Sequence, residues 1–199
     1  MAKASELVEL AKMCQRKKTM YAKGAFGAPL NDKNKTRYKV DAPVDPNVFL
    51  FDCCGLWHAL CSGWCADSSH IYGGTQVNKE QNGISYGAYH IPDWGADGCF
   101  SKGYLLDISN DMNTVLPGEI LWLPGHNGIC IKPGWAIEST PRGEGGVQIT
   151  QWIDKKLPNY RSWLQHGKLP FLEYEEEEDV SPTSIVCPCC GARFVLDGR

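Results

Sequence analysis

Residues 116–139 read Leu-Pro-Gly-Glu-Ile-Leu-Trp-Leu-Pro-Gly-His-Asn-Gly-Ile-Cys-Ile-Lys-Pro-Gly-Trp-Ala-Ile-Glu-Ser, and their punctuation fixes the fold class. Pro117-Gly118 marks a turn into a strand over 119–123. A second strand runs over 128–131, Lys132-Pro133-Gly134 turns the chain, and a third strand follows over 135–139. Residues 147–152 close the meander. Upstream the period changes from strand to helix. Leu7, Leu10, Ala11 and Cys14 share one face of an amphipathic helix over residues 3–18. Residues 51–64, apolar and rich in small side chains, predict a second helix with Asp52 as its N-cap. Helices first and an antiparallel sheet second define an α+β protein, with the N-terminal helices packed on the sheet.

Between these elements, the Gly-, Pro-, Asn- and Lys-rich stretch 23–46 reads as ordered loop, and 66–100 as loops with short helical pieces. Residues 153–172 form a return segment around Trp163 and Phe171. The acidic run 175–179 and Ser181-Pro182-Thr183-Ser184 then form a solvated linker. The chain divides into a main domain over 1–173, a linker over 174–184 and a cysteine-rich tail over 185–199.

The 199 residues suffice for one packed domain with a small appendage, and 43% hydrophobic against 22% charged residues is the composition of a globular chain. A net charge of −3 speaks against nucleic acid as a partner, because phosphate binding needs a basic footprint. No stretch has the length of a membrane-spanning helix, so no membrane partner is expected. Ten cysteines raise the question of a secreted disulfide scaffold. The N-terminus, however, carries no apolar leader, so the expectation is a chain made in a reducing cytoplasm with thiols that are free, metal-bound or catalytic.

Phe51-Asp52-Cys53-Cys54-Gly55-Leu56 places a thiol at the first turn of the second helix. Backbone N–H groups and the helix dipole there favour the thiolate, the reactive form. Gly55 leaves room for a substrate backbone. The alternative for Cys53 and Cys54 is two small buried hydrophobes. A thiolate needs a proton partner, and there are five histidines. His126, flanked by glycines at the entry to an apolar strand, is the candidate base. His58, His70, His90 and His166 lie in loops or beside apolar residues and read as structural or surface groups. Glu138 follows His126 by twelve residues across the turn centred near Pro133. Strand alternation then puts both on one face as diagonal neighbours, where the carboxylate would orient the imidazole and favour its charged form. The alternative for Glu138 is a solvated edge carboxylate.

The sequence Asp-Cys-x-Gly-Leu on a helix, a Pro-Gly-Glu strand, and then Gly-His-x-Gly-Ile-x-Ile resembles the NlpC-type cell-wall cysteine peptidases, which are papain-like in site geometry. The resemblance spans about residues 8–172 and is similar in shape to lysins of phages that infect Gram-positive gut bacteria. It implies Cys53 as nucleophile, His126 as base and Glu138 at the third polar position, where the family often has His. Cys54 falls on the family's serine. Met20-Tyr21-Ala22-Lys23-Gly24 resembles the family's Tyr-x-x-Gly segment, which implies Tyr21 as an oxyanion donor, with Asp52 beside it in the oxyanion and substrate region. The implied partner is the peptidoglycan stem peptide. The implied reaction is cleavage either of the bond from γ-D-glutamate to a diamino acid or of the amide joining muramic acid to L-alanine, without a required cofactor. Such an enzyme would act on the wall after release from the host cytoplasm.

Cys187-Pro188-Cys189-Cys190-Gly191 looks like one knuckle of a zinc ribbon. Zinc takes four ligands, so Cys187, Cys189 and Cys190 would need completion by a second chain or a distant cysteine. A truncated ribbon or a plain tail is the alternative. Cys14, Cys99 and Cys130 read as core thiols, and Cys61 and Cys65, one helical turn apart, as core-facing. Two other functions stand beside the wall hydrolase: a thiol amidase or acyltransferase with another substrate, and a non-catalytic zinc-tailed adaptor.

Overall fold

A computed structural model describes residues 2–66 and 89–175, together with the backbone of 85–86, 184–186 and 193–195. In chain order the first elements are β1 (Ala2–Lys3), α1 (Ala4–Gln15), β2 (Thr19–Tyr21), β3 (Phe26–Leu30), α2 (Asp32–Tyr38), β4 (Asp45–Phe51) and α3 (Cys53–Cys61). Next come β5 (Ser85–Tyr86), β6 (Ile91–Pro92), α4 (Ala96–Ser101), β7 (Leu106–Ser109), β8 (Ile120–Leu123), β9 (His126–Lys132) and β10 (Trp135–Thr140). The last are β11 (Gly146–Gln151), β12 (Gln165–Lys168), β13 (Leu172–Glu173), β14 (Ser184–Val186) and β15 (Arg193–Val195). The protein is mixed α+β.

Its centre is a six-stranded antiparallel sheet in the order β11-β10-β9-β8-β12-β7. The central strands β8, β9 and β10 carry apolar residues on both faces because both faces are covered. Ile120, Ile129 and Ile137 point one way, into a core shared with Leu7, Ala11 and Cys14 of α1 and Leu56, Trp57 and Leu60 of α3. Their neighbours Leu121, Cys130 and Ala136 point the other way, against Val115 and Trp163. Period-two alternation therefore sorts residues between two cores rather than between core and water.

The first helix ends at Gln15, short of the expected residue 18. The stretch 23–46, read as loop, holds β3 and α2 and the start of β4. Asn31 caps α2 by accepting from the Asn34 N–H at 2.9 Å, and Lys39 ends it in the left-handed conformation. The second expected helix begins at Cys53 and ends at Cys61. Phe51 belongs to β4, which pairs with β2 and β3 in a three-stranded sheet. A short apolar run has no periodicity of its own, and the Asp52 cap is the signal that divides strand from helix. The return segment supplies β12 in the main sheet, with Trp163 buried beside it.

Cys14, Cys99 and Cys130 are buried free thiols, whereas Cys61 is half-buried and Cys65 is exposed beyond the end of α3, where helical spacing no longer applies. No helix among the described residues is long and apolar enough to cross a membrane. Of the acidic linker, Tyr174 and Glu175 are described, Glu175 pairing with Lys3 at 2.8 Å, whereas residues 176–183, His70 and the tail cysteines Cys187, Cys189 and Cys190 lie outside the described residues; β14 pairs antiparallel with β15.

Candidate active site

Asp52 organises the entry to α3. Its Oδ1 accepts from the Gly55 N–H at 2.5 Å, capping the helix, and its Oδ2 accepts from the Gly24 N–H at 2.7 Å. Its own N–H donates to the Ala25 carbonyl at 2.7 Å. The carboxylate thus ties the loop after Tyr21 to the helix end. Burial pushes it up to about 6 against the pull of the Gly55 N–H, and the nearby charge of Cys53 adds to the rise. Gly55 is required here: a Cβ on it would stand 2.0 Å from the Ala25 carbonyl oxygen.

Tyr21 ends β2 directly opposite Phe51 of β4, so the register brings its ring to the nucleophile turn. Burial, and then the negative charges of Cys53 and Asp52, push the phenol up to about 12, which leaves its hydroxyl a donor at neutral pH.

Cys53 sits on the first turn of α3, only 9% exposed. Its Sγ lies 4.0 Å from that of Cys54, whose single S–H proton is shared between the Cys53 sulfur and Asn127 Oδ1, 3.1 Å away. Hydrogen bonding with Cys54, then with the His126 ring, and the Asn127 N–H hold the Cys53 thiol down to about 4 despite burial. The proton of the pair stays on Cys54, which the adjacent thiolate and burial push up.

His126 opens β9, and Glu138 lies on β10. The pairing of Ala136 with Cys130 and Ile137 with Ile129 makes His126 and Glu138 diagonal cross-strand neighbours, and His126 Nε2 hydrogen-bonds Glu138 Oε2. With Nε2 taken by Glu138, Nδ1 is the free ring nitrogen, and the ring and the Cys53 thiol are near enough to shift each other's titration. Burial works against a charged ring, but Cys53 and Glu138 outweigh it and raise His126 to about 9. The structure therefore brings Cys53, His126 and Glu138 into one chain of contacts, with Tyr21 and Asp52 at its nucleophile end.

The supporting roles of Arg161, Trp163, Asp97 and Asn127 escaped the sequence reading, which placed Trp163 only as a packing residue of the return segment. Arg161, arriving from the return segment, donates from Nε to Glu138 Oε1 at 2.5 Å and from Nη2 to Thr140 Oγ1 at 3.0 Å. Trp163 stacks on the His126 ring, with centroids 5.7 Å apart and planes at 12°. Gly128 makes that possible, since a Cβ there would meet the Trp163 ring at 2.8 Å. Asp97 accepts from the Gly125 N–H at 2.8 Å and from Trp122 Nε1 at 2.9 Å, fixing the turn that presents His126. Asn127 receives the Cys54 thiol. Neither spacing nor motif reaches Arg161 or Asp97, because both act across long sequence separations. Ser139 Oγ also donates to the Phe51 carbonyl at 3.0 Å, locking β10 against the strand that leads to the nucleophile.

Space opens on both sides of this chain. A cleft of about 240 Å³ has Cys53 on its wall, with Asp52, Lys23 and Asp93 among its lining. A wider cavity of about 630 Å³ has His126 on its wall, and Tyr21 borders both. Among the described residues no group of three or more His, Cys, Asp or Glu side chains could hold a metal ion.

The contrast between thiols is testable directly. At pH 6, iodoacetamide is expected to alkylate Cys53 ahead of Cys14, Cys61, Cys99 and Cys130, all of which burial holds protonated. Peptide mapping after brief labelling reads the order, and uniform modification of these thiols would contradict the low Cys53 value. The chain matches no known protein-family model and no curated protein.

Proposed function

We propose that this chain is a cysteine hydrolase of the NlpC type, papain-like in fold and site, that cuts an amide bond in the peptide part of bacterial cell wall, as a phage lysin would. The observation that carries the reading is the run of contacts from Cys53 through His126 to Glu138. A thiol favoured as thiolate faces an imidazole favoured as imidazolium, and a buried carboxylate fixes the ring.

The Cys53 thiolate attacks the amide carbonyl carbon, forming a C–S bond and moving the C=O π pair onto oxygen. Tyr21 Oη–H and the Cys53 backbone N–H donate to that oxyanion. The C–N bond breaks as His126 gives its Nδ1 proton to the departing amine, leaving a thioester and a neutral imidazole. The imidazole then takes a proton from water, the hydroxide adds to the thioester carbonyl, and the C–S bond breaks. Thiolate and imidazolium are restored, and the acid product leaves. Glu138 accepts from Nε2–H throughout, so the ring keeps the tautomer and orientation the two transfers need.

Mass spectrometry of purified peptidoglycan after digestion tests the reading. The expected result is one family of new termini, either between γ-D-glutamate and the diamino acid or at the muramoyl–L-alanine amide. Intact muropeptides alongside turnover of small amides would move the assignment to a thiol amidase with another substrate. No turnover of either, with zinc bound through Cys187 and the other tail cysteines, would favour the adaptor.

A further inference from the structure

The two spaces beside the nucleophile differ in charge. The Cys53 cleft carries Asp52 and Asp93 against Lys23. The His126 cavity is lined by two guanidiniums, Arg142 and Arg161, and by no acidic side chain among the described residues. Arg161 is committed to Glu138 and Thr140. Arg142 is exposed, and no ion pair to an acid is formed by it among the described residues. Its backbone is held at the cavity rim: its N–H donates to Thr140 Oγ1 at 3.3 Å and its carbonyl accepts from Gln148 Nε2 at 2.8 Å. Thr140 is thus shared between the two arginines, through its hydroxyl to one side chain and one backbone.

The placement of the two walls assigns the two halves of a substrate. The acyl half bonds to sulfur and so lies on the Cys53 side. The amine half departs as His126 protonates it and so lies in the cavity on the His126 wall. An unneutralised guanidinium in a concave site selects for an anion, and its planar fork suits a carboxylate. We infer that this cavity is a leaving-group subsite for an amine component bearing a free carboxylate, with Arg142 as its specificity-determining residue. This rests on the hydrolase reading above and narrows it: among wall peptides, the residue whose amine is released carries an unblocked carboxylate within reach of Arg142.

A matched pair of synthetic stem peptides tests it, identical except that the released residue ends in carboxylate or carboxamide. Wild-type protein is expected to cleave the acid with kcat/KM about tenfold or more above the amide, carried mainly by KM, and this preference should shrink as salt rises. Arg142→Gln should collapse the acid-to-amide ratio toward one, and Arg142→Lys should restore part of it. Equal efficiency on both peptides by wild type, or a ratio unchanged in Arg142→Gln, overturns the inference and leaves the hydrolase reading standing. Turnover of neither peptide by wild type, with purified peptidoglycan cut at the muramoyl–L-alanine amide, overturns the inference alone, and no turnover of peptides or of purified peptidoglycan overturns the reading and the inference together.

Discussion

Replacing Cys53 by alanine is expected to lower hydrolysis of purified peptidoglycan by more than about 10⁴-fold while the protein stays folded, because the nucleophile acts with its partners as a unit. The side chain is small and already lines a cleft, so its loss only widens that open space. The same substitution has a second readout. His126 is raised to about 9 by the Cys53 thiolate as well as by Glu138, so removing the thiolate should bring the ring's titration down toward its ordinary value. Histidine resonances followed by NMR across pH would report this. Wild-type activity should trace a bell. Its acid limb falls as the thiolate, held down to about 4, takes a proton, and its alkaline limb falls as the imidazolium, raised to about 9, loses one. Glu138→Gln should pull the alkaline limb to lower pH, since the ring loses the carboxylate that favours its charge. Wall clearance by Cys53→Ala at the wild-type rate would end the mechanism, as would an alkaline limb indifferent to Glu138→Gln.

Much of this site was legible because it depends on local rules. Asp52 caps α3 because an Asx side chain before an apolar helical run does so, and the cap puts Cys53 on the first turn. His126 and Glu138 meet because side chains alternate along paired strands and the register shift between Trp135 and Ala136 sets Ala136 opposite Cys130, which puts both residues on one face. What escaped depends on chain segments that no local rule connects. Residues 23–46 carry loop composition, yet β3 forms within them because β4 offers an edge to pair with, and α2 because Asn31 caps it. The helix expected over 51–64 lost its first two residues for the same reason, since Phe51 finds a strand partner in Tyr21. Arg161 sits in a stretch with no regular spacing, and only the fold shows that it ends beside Glu138.

Arg161→Leu is expected to cost on the order of 3–5 kcal/mol of folding stability, the range for breaking a buried ion pair by removing one partner. Glu138 is 0% exposed and is held by two cationic groups, Arg161 on one oxygen and His126 on the other. Without Arg161, the carboxylate leans on His126 alone, and Thr140 loses a donor. Denaturant unfolding should show the midpoint drop. Adding Glu138→Gln to the same chain removes the stranded charge, so the double variant should recover a large part of the lost stability. Activity should not recover with it, because the imidazole then has no carboxylate to hold its tautomer and charge. That divergence separates the two roles of the buried carboxylate: as an ion it is a liability that Arg161 makes tolerable, and as an orienter of His126 it serves the chemistry. Stability within about 1 kcal/mol of wild type in Arg161→Leu, or activity that returns in step with stability in the double variant, would show that the Arg161–Glu138 contact supports neither.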